Sequence, residues 1–245
     1  MHKLLLYFIL PLLILGCKKM YVPTKGTYKY VVINEEKSSN TIDSIISPYK
    51  NVIEKEMNME IGYSKSHLTK QGHESALGNF FCDAMKWAYD SIRKEKTNCL
   101  VLMNHGGMRT SLYQGTVKVS NMFELMPFEN ELNAITISGN QLLEIVEAIK
   151  IKQHPYFGFK LISDNKNKNE IFLLNGNPMK VDSNYCLITS DYLINGGDGF
   201  KFGENNKTVI HLNFLLRDAL IRYTQHVTFI GDSIKAYKDG RYHVE

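Results

Sequence analysis

The sequence predicts an α+β domain, a mixed β-sheet flanked by helices. Apolar stripes at helical spacing alternate irregularly with short apolar runs of strand length, which favours a mixed sheet over a regular βα repeat. Asn175-Gly176 falls between two such runs, where a hairpin turn belongs. The 245 residues, 44% hydrophobic and 22% charged, suffice for a real core in one domain or two small ones and exclude wholesale disorder. No internal repeat or low-complexity tract interrupts the pattern.

The chain opens on Met1-His2-Lys3 and then an apolar run over residues 4–15. Such a run is too short to cross about 30 Å of hydrocarbon as a helix. A cationic start before it reads as a secretory signal over residues 1–16. Ile14-Leu15-Gly16-Cys17 resembles the lipobox of bacterial lipoproteins. The resemblance implies lipidation of Cys17, anchoring to a membrane by acyl chains without spanning it, and a periplasm-facing protein. Residues 17–41 then form a lipidated tether, in which residues 27–33 alternate enough for a short strand. The folded domain is expected over 42–245.

Ile42, Ile45, Ile46, Tyr49, Val52, Ile53 and Met57 recur at helical spacing and predict a helix over 42–58, with Asp43 and Ser44 suiting its start. Ser75 caps a second predicted helix over 75–94, striped by Leu77, Phe80, Phe81, Ala84, Met85, Ala88 and Ile92. Residues 98–103 read as a buried strand and 133–137 as another, followed by a helix from Gly139 to about Lys150. Residues 171–174 and the run after Pro178 flank the hairpin signal. Residues 185–189 predict a further strand, and 212–223 the last helix.

A net charge of +4 without a long basic block is a weak footprint for a nucleic-acid binder. The four cysteines form no CxxC pair, so neither a disulfide framework nor a zinc site is implied. Cys82 falls in a helical stripe, Cys99 and Cys186 in strand-like runs; all three are expected as buried, unpaired thiols. His105, His154, His211 and His226 are scattered, and His67 and His73 read as surface residues.

Three loops carry candidate chemistry. Asn104-His105-Gly106-Gly107-Met108-Arg109 follows the buried strand. Its glycines allow close approach, and Arg109 offers a planar cationic fork for phosphate or carboxylate; the plainer alternative is a glycine turn with a solvated Arg. Met126-Pro127-Phe128-Glu129-Asn130 presents an aromatic that either stacks on a ligand ring or folds back onto the core. The stretch from Asp191 to Phe200 includes Tyr192, Gly196, Gly197, Asp198 and Gly199. Asp198 there either accepts hydrogen bonds from a sugar diol or serves its own turn. Together, two aromatics, an Arg, an Asn and an Asp on loops at strand ends match a nucleotide or nucleoside.

Five phrases make the resemblance specific: Glu74-Ser-Ala-Leu-Gly-Asn79, Asn104-His-Gly-Gly-Met-Arg109, Pro127-Phe128, Ile137-Ser-Gly-Asn-Gln-Leu142 and Asn195-Gly-Gly-Asp-Gly-Phe200. In their order and spacing they resemble the C-terminal, substrate-binding domain of the 5'-nucleotidase family, from about residue 42 to 223. The resemblance implies that Phe128 and Tyr192 sandwich the base and that Asp198 takes the ribose hydroxyls. It implies that Asn104 meets base or ribose, and Arg109 ribose or phosphate, within a loop shaped by Gly196 and Gly197. Gln71 stands where the family often has Arg, so weaker phosphate recognition is expected. The DxH, GDxxD and GNH[DE] metal motifs of the family's metallophosphoesterase domain do not occur in this sequence. No catalytic or metal-ligating residue is therefore assigned. A divalent metal pair is expected in a separate metallophosphoesterase chain; the alternative is a lipoprotein that captures nucleosides without catalysis.

Overall fold

The computed structural model describes residues 40–163, 169–174, 176–202 and 208–244, with Gly26 and Tyr30. The expected signal, Cys17 and the strand over 27–33 lie outside the described residues. The chain divides into two compact units, Met1–Ser47 and Pro48–Glu245. Of the first, the described part beyond Gly26 and Tyr30 is the opening half of helix α1 (Asn40–Met57). Among the described residues no helix is long and apolar enough to cross a membrane.

The second unit is built on a five-stranded sheet of order β5-β2-β8-β4-β9. Its strands are β2 (Leu100–Leu102), β4 (Glu131–Ser138), β5 (Tyr156–Phe157), β8 (Asn184–Ser190) and β9 (Val209–Leu215). β2 and β8 run parallel, and the other pairs are antiparallel, so the sheet is mixed as predicted. Alternate side chains feed two cores. Val101, Met103, Ala134 and Ile188 join the cluster formed with α2 (Ala76–Arg93) and α6 (Leu216–Phe229). Leu100, Leu102, Ile135 and Leu187 join the other, formed with α4 (Gly139–Lys152). A sheet covered on both faces explains why its strands read as continuous apolar runs.

Two smaller sheets complete the unit. β1 (Glu60–Ser64) pairs with β3 (Gly115–Lys118), which leads into the short helix α3 (Val119–Leu125). β6 (Phe159–Ser163) lies between β7 (Asn169–Leu173) and β10 (Tyr242–Val244).

The caps follow the sequence. Ser75 Oγ accepts from Gly78 N at the start of α2, and Ser138 with Gln141 makes a reciprocal capping box on α4. Glu74 works beside its cap. Its Oε1 accepts from Asn79 Nδ2 (3.1 Å) and from the backbone of Asp239 (2.7 Å) and Gly240 (3.2 Å). That ties the C-terminal segment to α2. Arg241, 6% exposed, completes this clamp with Nε to Asp239 Oδ1 (2.9 Å), Nη2 to Asp239 Oδ2 (2.6 Å), Nη1 to the Tyr156 carbonyl (2.8 Å) and Nη2 to Asp83 Oδ1 (3.5 Å).

Three expectations are corrected, on the cysteines, the last helix and His73. Cys99 and Cys186 form a disulfide, while Cys82 is the buried free thiol. The Leu100–Leu187 register of parallel β2 and β8 brings the two cysteines side by side, a juxtaposition invisible across 87 residues of sequence. The last helix begins at Leu216 rather than 212, because residues 209–215 are drawn into pairing with the free edge of β4, with Asn213 (φ 48°) in a bulge. The expected hairpin around Gly176 forms, with Leu173 N donating to the Asn177 carbonyl (2.9 Å) and Met179 N to the Ile171 carbonyl (2.8 Å); Asn175 itself lies outside the described residues. β7 pairs mainly with β6, and the return strand makes one isolated bridge, Phe172 to Pro178. His73 is half-buried, stacked on Tyr242 at 4.5 Å, whereas His67 is exposed as expected.

Candidate nucleotide-binding site

Strand direction assembles the site. β2 and β8 end, and β4 begins, on one edge of the central sheet, so the three loops singled out in sequence meet there.

The first loop leaves β2 through Asn104 into a 3-10 turn, His105–Gly107. Gly107 is needed for close approach: a Cβ there would lie 2.3 Å from Met103 Cε and 2.9 Å from Asn104 Oδ1. Asn104 is buried against it. Arg109 is exposed and sets its guanidinium 5.6 Å from the Phe128 ring centroid, a cation–π contact. Gln71 is exposed, and Lys70 beside it donates to the Met108 carbonyl (2.9 Å), which leaves a cation next to the Arg109 loop.

The second loop follows α3. Phe128 is 41% exposed and therefore has not folded into the core. Its backbone is held by Arg217, the first-turn residue of α6, whose Nη1 donates to the carbonyls of Met126 (3.3 Å) and Phe128 (3.4 Å). The Arg217 guanidinium also covers the Phe123 ring at 3.9 Å.

In the third loop Ser190 caps the short helix α5 (Asp191–Ile194). Asp191 Oδ1 accepts from Tyr192 N (2.8 Å), Asn130 Nδ2 (2.9 Å) and Glu131 N (3.1 Å), which fastens this loop to the second. Tyr192, 42% exposed, lays its ring on Gly197, where a Cβ would come within 2.4 Å of the ring. Gly196 (φ 95°) and Asp198 (φ 54°) sit in the left-handed region, so the loop's shape needs a residue without Cβ at the first and a tolerant one at the second. Asp198 Oδ1 accepts from Tyr192 Oη (3.2 Å) and the Asp198 carbonyl from Lys152 Nζ.

The third link runs through a residue outside the sequence-derived set. His154 Nδ1 accepts the His105 backbone N–H (3.0 Å), and its Nε2 lies 3.7 Å from Asp198 Oδ2. Two of the histidines that look scattered in sequence thus meet at this edge. Burial pushes the His154 ring down to about pKa 4, against the opposing pull of Asp198. Arg109–Phe128 joins the first two loops and Asn130–Asp191 the second and third, while the His105–His154 hydrogen bond brings the ring only to within 3.7 Å of Asp198. Asn104 stays with Gly107. Arg217 and His154 escaped sequence reading because one opens a helix and the other follows one, with no motif around either.

Among the described residues no three His, Cys, Asp or Glu side chains converge as a metal site. A cavity of about 640 Å³ lies at the opposite end of the sheet beside Cys99, Phe157 and Tyr185.

The family model of the 5'-nucleotidase C-terminal domain matches residues 57–204. An apyrase of Tabanus yao is 28% identical over 175 residues, covering 61% of this chain and 32% of that protein. A 5'-nucleotidase-related protein of Glossina morsitans morsitans is 24% identical, covering 84% and 42%. The chain thus spans about a third to two-fifths of these relatives. In fold it is similar to the 5'-nucleotidase precursor of Thermus thermophilus, with a TM-score of 0.68 and 22% identity over 83% of this chain and 43% of that one. The chain belongs to the 5'-nucleotidase family, and residues 57–204 are its C-terminal domain.

Proposed function

We propose that the linked loops bind the nucleoside part of a nucleotide, in nucleotide breakdown. The observation that carries this reading is that two half-exposed rings, Phe128 and Tyr192, stand on loops fastened by Asn130–Asp191, with the Tyr192 hydroxyl on the Asp198 carboxylate. Phe128 and Tyr192 hold the base between them, and each stacked face contributes about 1–3 kcal/mol. Asp198 accepts from the ribose hydroxyls. Arg109 and Asn104 reach the ribose, with Arg109 extending to phosphate, where charge-assisted bonds add roughly 1.5–3 kcal/mol. Breaking the phosphoester bond requires groups that these residues do not supply. We assign that step to a metal-bearing phosphoesterase polypeptide, with this protein held to the membrane through Cys17 on the exported side.

The test is phosphate release from AMP by the protein with and without a metallophosphoesterase from the same compartment. Activity with both present, lost on chelation, supports the reading. Comparable hydrolysis by this protein alone contradicts the division of labour. Tight adenosine binding with no gain from any such partner favours nucleoside capture instead.

A further inference from the structure

We propose that His154 is a positioning residue for Asp198, turning the carboxylate so that it presents one free lone pair on each oxygen to a vicinal diol. The proposal rests on the nucleoside reading and adds to it the origin of selectivity for the ribose.

The ring's tautomer is set by its backbone partner. A backbone N–H can only donate, so the 3.0 Å contact from His105 N makes Nδ1 the acceptor and places the neutral ring's hydrogen on Nε2. The ring cannot easily turn away. It is 1% exposed, lies 5.8 Å from the Phe200 ring, and follows Gln153, whose left-handed backbone (φ 55°) ends α4. Nε2 has no hydrogen-bond partner among the described residues. Its nearest acceptor is Asp198 Oδ2 at 3.7 Å, just beyond hydrogen-bond length.

A buried donor left unpaired is unfavourable, so any small rotation that brings Oδ2 onto it is favoured. Three charged or titratable groups act at the ring: Asp198, Lys152 and His105. Because burial keeps the ring neutral far into the acid range, the Nε2 donor persists at any working pH.

The chemistry then follows from lone pairs. An ionised carboxylate has about four acceptor sites, two per oxygen. Tyr192 Oη occupies one on Oδ1 at 3.2 Å, and His154 Nε2 faces Oδ2. One site remains on each oxygen, spaced for the two hydroxyls of a ribose. Without His154 the carboxylate could rotate, and the match to a diol would be lost while the rings kept their grip on the base.

The experiment is a calorimetric comparison of adenosine with 2',3'-dideoxyadenosine on the wild-type protein and on Asp198→Ala, His154→Phe and His154→Gln. The wild type should prefer adenosine at least tenfold, and Asp198→Ala should erase that preference. His154→Phe should cut it threefold or more while leaving the dideoxy ligand's affinity unchanged. His154→Gln should recover most of it, since an amide can both accept from His105 and donate to Asp198. Equal weakening of both ligands by His154→Phe, or full preference retained where Asp198→Ala loses it, overturns the positioning role alone. Equal binding of both ligands by the wild type overturns the ribose contact to Asp198 and this proposal with it, and no binding of either overturns the nucleoside reading as well. If His154→Phe fails to fold, nitrogen chemical shifts of the wild-type ring decide: an Nε2-protonated neutral tautomer upholds the proposal, and an Nδ1-protonated one overturns it.

Discussion

At the loop end of the central sheet, Asp198 faces one neutral ring, one phenol and solvent. At the C-terminal clamp, Asp239 and Asp83 face the buried guanidinium of Arg241, while Glu74 takes three N–H donors. The first carboxylate keeps acceptor capacity for something outside the protein. In the second, Asp239 and Glu74 each take three donors from the protein itself, whereas Asp83 has one long contact with Arg241 at 3.5 Å. Two of the phrases that carry the resemblance, those at Glu74 and Ile137, thus build scaffold, a tied C-terminal segment and two helix caps. The phrases at Asn104, Pro127 and Asn195 build the open edge. Within the open edge the same division recurs: Asp191 spends Oδ1 on three donors that fasten the loops, and Asp198 keeps acceptor capacity.

The largest effect that would sharpen this contrast is at the clamp. Arg241→Met leaves Asp83 and Asp239 without their cation and the Tyr156 carbonyl without its donor, and loss of this buried guanidinium is expected to lower stability by about 3 kcal/mol. Urea unfolding measures the loss, and adenosine affinity should not change. A matched loss of affinity would mean that the clamp also shapes the site.

Next comes the covalent tie. Replacing both Cys99 and Cys186 by Ala removes a cross-link between positions 87 residues apart. The expected loss is about 2–4 kcal/mol in thermal or chemical unfolding, again with the loop edge unaffected. Gly197→Ala probes the other side of the comparison. Its Cβ would meet the Tyr192 ring at 2.4 Å, so the ring must move. Adenosine binding is expected to weaken by about 1 kcal/mol, within the range of one stacking contact, with a smaller change in unfolding. Unchanged affinity would remove Tyr192 from the binding surface.

The last effect is a pair of opposed pH slopes, which largely offset each other in the wild type. The His154 ring has a folded pKa of about 4, below its ordinary 6.5, so the unfolded chain takes up a proton the native one refuses. Its contribution is full above 6.5 and declines as pH falls towards 4. Asp83 is displaced the other way. Burial outweighs the Arg241 charge and raises it to about 6 from 3.8, so the native state keeps a proton the unfolded chain releases. Stability from that group declines as pH rises from 3.8 through 6. Between pH 4 and 6 the two oppose each other. His154→Phe should therefore tilt the stability profile towards acid and Asp83→Asn towards neutral pH, as read from unfolding midpoints across that interval.

Much of the scaffold was legible because its signals are local. The stripes of α2 and α4, the Ser75 cap and the apolar runs of β2, β4 and β8 follow from spacing alone. What escaped depends on contacts distant in sequence. β1, β3 and β6 are short or exist through their partners, β9 took residues whose stripe suits a helix, and the disulfide needs the β2–β8 register. The site divides in the same way. Phe128, Tyr192 and Asp198 stand in unusual loop phrases. Arg217 and His154 act on them from elements whose local sequence carries no sign of it.

The central claim, that a nucleoside lies against Phe128 and Tyr192 with its ribose on Asp198, is tested most directly by titrating adenosine into the wild-type protein, Phe128→Ala and Asp198→Ala. The account expects a single site in the wild type, weakened at least fivefold in each variant, with melting temperatures nearly unchanged. Undiminished binding in both variants, or no binding by the folded wild type, would contradict it.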